Sequence, residues 1–112
     1  MLHENFDNTI NTAYDESEMF GGRDLTKLET GKKIVVACLD CTFTVERWED
    51  GLYISGHEKY CPVPTKCRIP GSNFGGSMLR MNFVGRGMYM EFHTDAHPTR
   101  IVTSQVQEVS EA

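Results

Sequence analysis

The chain has 112 residues, of which 39% are hydrophobic, and its formal net charge at pH 7 is −5. A chain of this length has room for one folded domain, because a single core already takes up the apolar surface that it carries. The longest apolar run, Ile34 to Leu39, is far shorter than the ~20 residues that a membrane-spanning helix needs. Length and composition therefore exclude several domains and predict no membrane span.

The N-terminus, Met1 to Asn5, lacks the basic flank and the apolar stretch of a secretory signal. We therefore expect a cytoplasmic protein. Redox buffers in that compartment disfavour structural disulfides, so the four cysteines are expected to stay reduced or to hold a metal.

Charge is distributed unevenly along the chain. Residues 1–30 hold seven acidic and two basic side chains, whereas residues 59–90 hold five basic side chains and no acid. The two segments either attract each other, lie on separate solvated faces, or bind partners of opposite charge. In the last case the basic segment binds an anionic ligand, or the acidic segment binds a basic partner.

The first 23 residues are polar and end in Gly21-Gly22, a composition that buries too little apolar surface to offset the entropy of ordering. We predict a flexible acidic arm at residues 1–23 and a single β-rich domain at residues 24–112. Some apolar residues of the arm have a faint helical spacing, which suggests folding on a partner or on a second copy of the chain. They are Ile10, Ala13, Tyr14, Met19 and Phe20.

The domain begins with a predicted helical turn. Asp24 is placed to cap Leu25 to Glu29 by accepting hydrogen bonds from unpaired amides, and Gly31 ends the turn. From Lys33 onward the pattern is that of β-structure. Ile34 to Leu39 is apolar throughout and rich in β-branched residues, which predicts a strand covered on both faces.

Alternating apolar and polar residues predict the other strands. They cover residues 42–48, 52–55, 77–84, 88–93 and 99–104, the last extending as far as 109. Residues 56–76 contain three prolines and four glycines, which predicts a long irregular loop. Five or six short antiparallel strands predict a mainly β fold, a small barrel or sandwich of the SH3-like or OB-like type.

The cysteine spacing allows a zinc site. Two residues separate Cys38 from Cys41, and five separate Cys61 from Cys67. Two such pairs can place four thiolates around a zinc ion, and His57 could replace one sulfur. The alternative is that the thiols are buried as small apolar side chains, since Cys38 lies inside the apolar strand.

The segment Pro70 to Gly76 lies within the basic stretch and predicts a surface for anions. Its glycines let backbone amides approach a phosphate, and Phe74 is suited to stacking on a base. The composition is also typical of a plain surface loop, because the Lys-Ser/Thr and the helix of a Walker loop are missing. The candidate ligand-binding residues are Lys66, Arg68, Asn73, Phe74, Arg80 and Arg86.

The histidines carry no catalytic motif. None of His3, His57, His93 and His97 accompanies a pattern that marks a Ser or Cys nucleophile. His93, Asp95 and His97 crowd one turn, and either a metal or a polar hairpin tip explains them. We therefore expect no catalytic residues and no enzyme activity.

Several large apolar residues of the second half are expected to fill the core, with flexible thioethers in its irregular gaps. They are Met78, Met81, Phe83, Met88, Tyr89, Met90 and Phe92. If Met78 and Met88 instead face outward with Tyr89, they form an adaptable apolar patch of the kind used in dimers or against a protein partner.

Two segments resemble the small accessory proteins of tailed bacteriophages. They are Leu25 to Ile34, LTKLETGKKI, and Arg100 to Val109, RIVTSQVQEV. Phage proteins with such an ending often have Pro where this chain has Gln105. The resemblance implies a protein that inhibits or retunes a bacterial host or defence protein by binding it in the host cytoplasm, and it supplies no site residues.

Two hypotheses of function follow from these patterns. The first is a non-enzymatic protein-binding module, an inhibitor of a host or defence protein, that uses its acidic arm or an apolar sheet face. The second is a binder of a nucleotide or nucleic acid through the basic segment 59–90, stabilised by zinc if the cysteines hold it. A homodimer is expected if strand edges stay open.

Overall fold

The computed structural model describes residues 21–76 and 78–112, so almost all of the predicted arm lies outside the described residues. The strands are β1 (Arg23–Asp24), β2 (Lys33–Cys38), β3 (Thr42–Trp48), β4 (Gly51–Ser55), β5 (Thr65–Asn73), β6 (Arg80–Met81), β7 (Phe83–Val84), β8 (Tyr89–Thr94) and β9 (Ile101–Glu111). A 3-10 turn at Leu25–Lys27 joins β1 to β2. No helix within these residues has the length and apolar content needed to cross a membrane.

Six strands form a closed antiparallel ring. In chain order β2 pairs with β3, β3 with β4, β4 with β5, β5 with β8 and β8 with β9, and β9 returns to pair with β2. Closure pairs the strands on both edges, which removes the exposed edges that invite association. The prediction of a small antiparallel barrel of five or six strands is confirmed, and its strands follow one another around the ring.

The last strand, β9, pairs with two different strands along successive parts of its length. The part of β9 from Ile101 to Gln105 pairs with β8, and the part from Val106 to Glu111 pairs with β2. The ring is therefore strongly staggered, because β8 and β2 meet β9 at different heights. The strand also begins and ends later than the sequence predicted.

The core lies inside the ring. Along β2 the side chains of Ile34, Val36 and Cys38 are buried, whereas Val35 and Ala37 are only half-buried. The prediction that this strand is covered on both faces was wrong, because within residues 21–76 and 78–112 no second layer buries Val35 and Ala37 on the outer side of the ring. The other inward-facing side chains include Phe43, Val45, Ile54, Ile69, Met90, Phe92, Val106 and Val109.

The helical turn that the sequence predicted after Asp24 is present as the 3-10 turn Leu25–Lys27, and it closes one end of the ring. The Asp24 carboxylate accepts hydrogen bonds from the backbone N–H and the hydroxyl of Thr26, at 2.9 and 2.6 Å. These bonds hold the pKa of Asp24 below its usual value. Leu25 is then buried in the core, and its carbonyl accepts a hydrogen bond from Arg47 Nη2 at 2.9 Å.

The long loop predicted at residues 56–76 is mostly strand. The nine residues of β5 occupy its second half, and only residues 56–64 connect β4 to β5. Pro70 lies where the register of β5 against β8 shifts, between Arg68 and Gly71. A bulge of this kind tolerates the proline and the glycine that made the segment look like a loop.

The strand predicted at residues 77–84 is broken into β6 and β7. Asn82 lies between them with a φ of 57°, a left-handed conformation that Asn adopts more readily than most residues. The kink turns Met81 outward and Phe83 into the interior, so the predicted alternation does not continue through Asn82.

Gly71 is the point at which β6 is attached to β5. β4 pairs only with residues Thr65 to Cys67 of β5, and β6 pairs with Gly71 and Ser72 further along. A Cβ atom at Gly71 would overlap the carbonyl oxygen of Arg80, and the φ of Gly71 is +153°. Close packing of two backbones therefore requires glycine at this position.

We predict that Gly71→Ala lowers the free energy of unfolding by at least about 2 kcal/mol, because the methyl group must push β6 away from β5. Urea denaturation followed by the fluorescence of Trp48 measures this change. The matched control is Gly76→Ala, at a position with no atom within 4 Å of the added carbon, and it should change stability by less than about 0.5 kcal/mol. Equal effects of the two substitutions would contradict the packing described at Gly71.

Candidate functional site

The six candidate ligand-binding residues do not converge on one pocket. Lys66 and Arg68 lie on the outer face of β5, whereas Phe74 follows its last residue, Arg80 is in register with Ser72 near that end, and Arg86 lies between β7 and β8. Lys66 to Phe74 spans roughly 26 Å at the rise of a β-strand. The structure therefore separates the set into a pair on the barrel wall and a group at one barrel end.

The pair on the wall lies beside two stacked aromatic rings. Trp48 and Tyr53 stack at 3.7 Å between ring centroids, and Tyr53 is in register with Lys66. Lys66 Nζ lies 3.3 Å from Asp50 Oδ2, an exposed ion pair that contributes little to stability. Arg68 is exposed. Sequence patterns missed the aromatic pair, although the two residues flank the Asp50-Gly51 turn.

Asn73 has a structural role. Its Nδ2 donates to Glu91 Oε2 at 2.8 Å, and its Oδ1 accepts from the backbone N–H of Gly75 at 2.6 Å. Glu91 is buried and also accepts from Arg100 Nη1 at 2.9 Å. Asn73 therefore fixes the start of the segment that follows β5, and its amide is engaged on both sides.

The segment between β5 and β8 carries the group at the barrel end. Phe74, Met78 and Met81 keep 38%, 57% and 73% of their surface exposed. On the same segment Arg80 lies with its guanidinium 4.0 Å from the ring centroid of the buried Phe83, and Arg86 is exposed. We call Phe74, Met78, Arg80, Met81 and Arg86 the loop-end patch. Phe74, Arg80 and Arg86 have interaction partners of their own.

The predictions for the methionines are correct for some of these residues and wrong for others. Met88 and Met90 are fully buried, as expected, and Met88 Sδ accepts a hydrogen bond from Ser72 Oγ at 3.4 Å. Met78 and Met81 were expected in the core, but both are exposed. The prediction of an outward patch is therefore right for Met78 and wrong for Met88, and Met81 joins the patch because of the kink at Asn82.

The four cysteines gather at the opposite end of the ring. Successive connections of such an antiparallel ring lie at opposite ends, so the links from β2 to β3 and from β4 to β5 lie at the same end. All four thiols are free. A charge on Cys41 would raise the pKa of Cys38 and of Cys61, and a charge on Cys61 would raise that of Cys67. The thiols are thus close enough to interact electrostatically.

No group of three or more Cys, His, Asp or Glu side chains within residues 21–76 and 78–112 has a metal-binding arrangement. This holds for the cysteines and for the His93, Asp95 and His97 turn. His57 uses Nδ1 to accept the backbone N–H groups of Lys59 and Tyr60, at 3.1 and 3.4 Å. The zinc site stays a prediction.

Burial controls the chemistry of the thiols. It is the largest cause of a raised pKa at Cys38, Cys41 and Cys61, and it raises the pKa of Cys67 to about 12. Thiols of this kind stay protonated at neutral pH and are poor nucleophiles, because the thiolate is the reactive form.

A groove of about 670 Å³ lies against the 3-10 turn. Leu25, Leu28 and Ile34 contribute to its lining. Charged residues of both signs surround them, namely Arg23, Asp24, Lys27, Glu29, Lys32, Lys33 and Glu111. Mixed charge favours neither an anionic nor a cationic ligand, and none of these residues was a sequence candidate.

The raised pKa of Cys67 makes stability depend on pH. The unfolded chain releases this thiol proton near the ordinary value of 9.0, whereas the folded chain retains it up to about 12. The stabilising contribution is therefore complete below pH 9 and is lost as the pH rises toward 12. We predict a loss of about 2 kcal/mol from this residue between pH 9 and 10.5.

Urea unfolding at pH 7.5, 9 and 10.5 measures this loss. The control is Cys67→Ala, which should show a shallower decline with pH whatever its stability at pH 7.5. Parallel declines in the two proteins would show that Cys67 is not protected from ionisation.

Two regions thus offer binding chemistry on the described surface: the loop-end patch and the aromatic and basic strip on the barrel wall. Comparison of the chain with protein families, curated proteins and solved structures found no match in any of the three.

Proposed function

We propose that this protein is a non-enzymatic binding protein that contacts a protein partner through the loop-end patch. The observation that carries the proposal is the exposure of Phe74, Met78 and Met81 on one short segment. Clusters of exposed large apolar side chains mark interaction sites more often than chance surface positions do. Methionine and aromatic residues are also enriched in the centres of protein interfaces.

Both ends of the segment that bears the patch are anchored to the barrel. Ser72 Oγ donates to the carbonyl of Phe83 at 2.6 Å, and β7 pairs with β1 through Phe83 and Val84. Asn73 ties the start of the segment to Glu91. A surface fixed before binding loses less conformational entropy on association, which favours affinity.

The charge of the patch indicates the chemistry of the partner. Arg80 and Arg86 flank the apolar side chains, and residues 59–90 contain no acid. A partner surface that combines apolar and acidic side chains complements this arrangement. Since Arg80 and Arg86 already have interaction partners, binding exchanges those interactions for new ones.

The biological setting of the proposal comes from the resemblance to accessory proteins of tailed bacteriophages. On that basis the partner is a bacterial host or defence protein, met in the host cytoplasm. The two segments that carry the resemblance lead into β2 and form most of β9, which pair with each other. They build the framework of the ring, and the patch supplies the contact residues. Residues 1–20 of the acidic arm, another predicted contact, lie outside the described residues.

We predict that Met78→Ser combined with Met81→Ser removes partner binding. Burying two such side chains contributes about 1.5–3 kcal/mol each, so their loss weakens binding more than tenfold. The measurement is affinity capture from a bacterial lysate with quantitative mass spectrometry, followed by titration of the purified partner. Surface changes of this kind leave the fold intact.

The matched control is Leu39→Ser with Val63→Ser, which removes two apolar side chains that are 69% and 63% exposed at the cysteine end. The control should retain the partner captured by the unchanged protein. A partner that binds the patch variant and the control equally well would refute the assignment of the patch.

The second candidate function is binding of a nucleotide or a single-stranded nucleic acid. The stacked Trp48 and Tyr53 beside Lys66 and Arg68 favour it, because aromatic rings next to cations are the surface on which bases stack. The strip lies on the barrel wall and is separate from most of the loop-end patch. The two candidate functions therefore respond to different substitutions.

If this second function is correct, Lys66→Glu with Arg68→Glu should abolish binding of a labelled oligonucleotide of about 15 nucleotides. Fluorescence anisotropy over a range of salt concentrations measures affinity and the number of phosphate contacts. Lys27→Glu with Lys32→Glu makes the same charge change near the 3-10 turn and serves as the control. Unchanged binding by the Lys66 and Arg68 variant would eliminate the nucleic-acid function.

A further inference from the structure

The N-terminal arm meets the folded domain beside the loop-end patch. A side-chain carbon at Gly21 would lie 4.0 Å from Cβ of Arg86 and 4.0 Å from the backbone N and O of Val109. Residue 21 is therefore in contact with the neighbourhood of Arg86. The 20 residues that precede it start from this point.

The arm and the patch have complementary charge. Residues 1–20 contain five acidic side chains and no Lys or Arg. Three of the acids, Asp15, Glu16 and Glu18, lie within six residues of Gly21. Even when the chain is fully extended, six residues span only about 20 Å. Arg86 lies at the start of this path, and Arg80 is near enough to Asp24 to lower the pKa of that carboxyl.

The arm also carries apolar side chains that match those of the patch. Met19 and Phe20 directly precede Gly21. Further residues of the same kind recur along the arm at Leu2, Phe6, Ile10 and Tyr14. Contact with Phe74, Met78 and Met81 removes apolar surface from water on both sides, which is favourable.

From these three observations we propose that residues 1–20 dock on the loop-end patch of their own chain. Connection to the domain gives the arm an effective concentration of about 1 mM at the patch. A contact with a Kd of about 0.1 mM between separate molecules is then about tenfold in favour of the docked state. A weak acidic and apolar contact is therefore sufficient to keep the patch covered.

Docking of the arm adds a competition step to partner binding, and this step rests on the proposed function. It occupies the surface that a protein partner uses, so it acts as an internal competitor with the same acidic and apolar chemistry. A partner binds only to the extent that it displaces the arm, and the arm protects the apolar side chains when no partner is present.

The test uses the full chain and no partner. In the variant Asp15→Asn, Glu16→Gln and Glu18→Gln, ¹H–¹⁵N spectra should show shifted amides at Met78, Met81 and Gly87. Raising the salt concentration to 0.5 M should shift the same amides of the unchanged protein, because screening weakens the contact. The control variant Glu49→Gln, Glu58→Gln and Asp95→Asn removes three exposed acids elsewhere and should leave these amides unchanged.

Three results would overturn the docking proposal. The first is unchanged loop-end amides in the arm variant, and the second is a response confined to Lys66 and Arg68. The third is a response that grows with protein concentration, which would place the arm on a second copy of the chain. None of these results changes the outcome expected in the lysate capture with the Met78→Ser and Met81→Ser variant. Failure of the docking proposal can therefore be distinguished from failure of the proposed function.

Discussion

Every strand of the ring must satisfy its backbone hydrogen bonds on both edges, and β4 is too short to do this for β5. β4 has five residues and β5 has nine, so the last residues of β5 need another partner. β6 supplies it, and the close approach at Gly71 makes the pairing possible. The segment between β5 and β8, with the loop-end patch on it, exists because of this mismatch in length.

The same mismatch organises the end of the barrel. Once β6 is in place, the kink at Asn82 directs β7 toward β1, and the Asn82 carbonyl accepts the backbone N–H of Leu25 at 2.7 Å. Leu25 then enters the core and closes the ring. The plug of the barrel and the surface proposed for binding are therefore parts of one connected arrangement, whereas the thiols occupy the other end.

Local sequence patterns predicted the elements that local interactions determine. The strand Thr42–Trp48 has the predicted bounds and buries Phe43 and Val45 as its alternation predicted, and the capping carboxylate of Asp24 identified the turn. Sequence reasoning failed where a distant backbone decides the conformation. Pro70 and Gly71 look like loop residues, but the pairing of β5 with β6 and β8 holds them in a strand.

The candidate site was predictable only in part for the same reason. The composition of residues 56–76 predicts a loop that would bring Lys66 and Arg68 close to Phe74, whereas the structure separates them along an extended strand. The exposure of Met81 depends on the backbone of Asn82, which no periodic pattern reveals. Composition did reveal the charge contrast between residues 1–20 and residues 59–90, because it requires no knowledge of the fold.

The split pairing of β9 has a consequence for how fast the protein folds. The ring closes only when Ile34 meets Glu111 and Val36 meets Val109, residues from nearly opposite ends of the domain. Bringing them together carries the largest loop-closure entropy in the ring, while the hairpins from β2 to β5 need only near neighbours. We infer that the hairpins form early and that addition of β9 limits the folding rate, which places this barrel among the slower small domains.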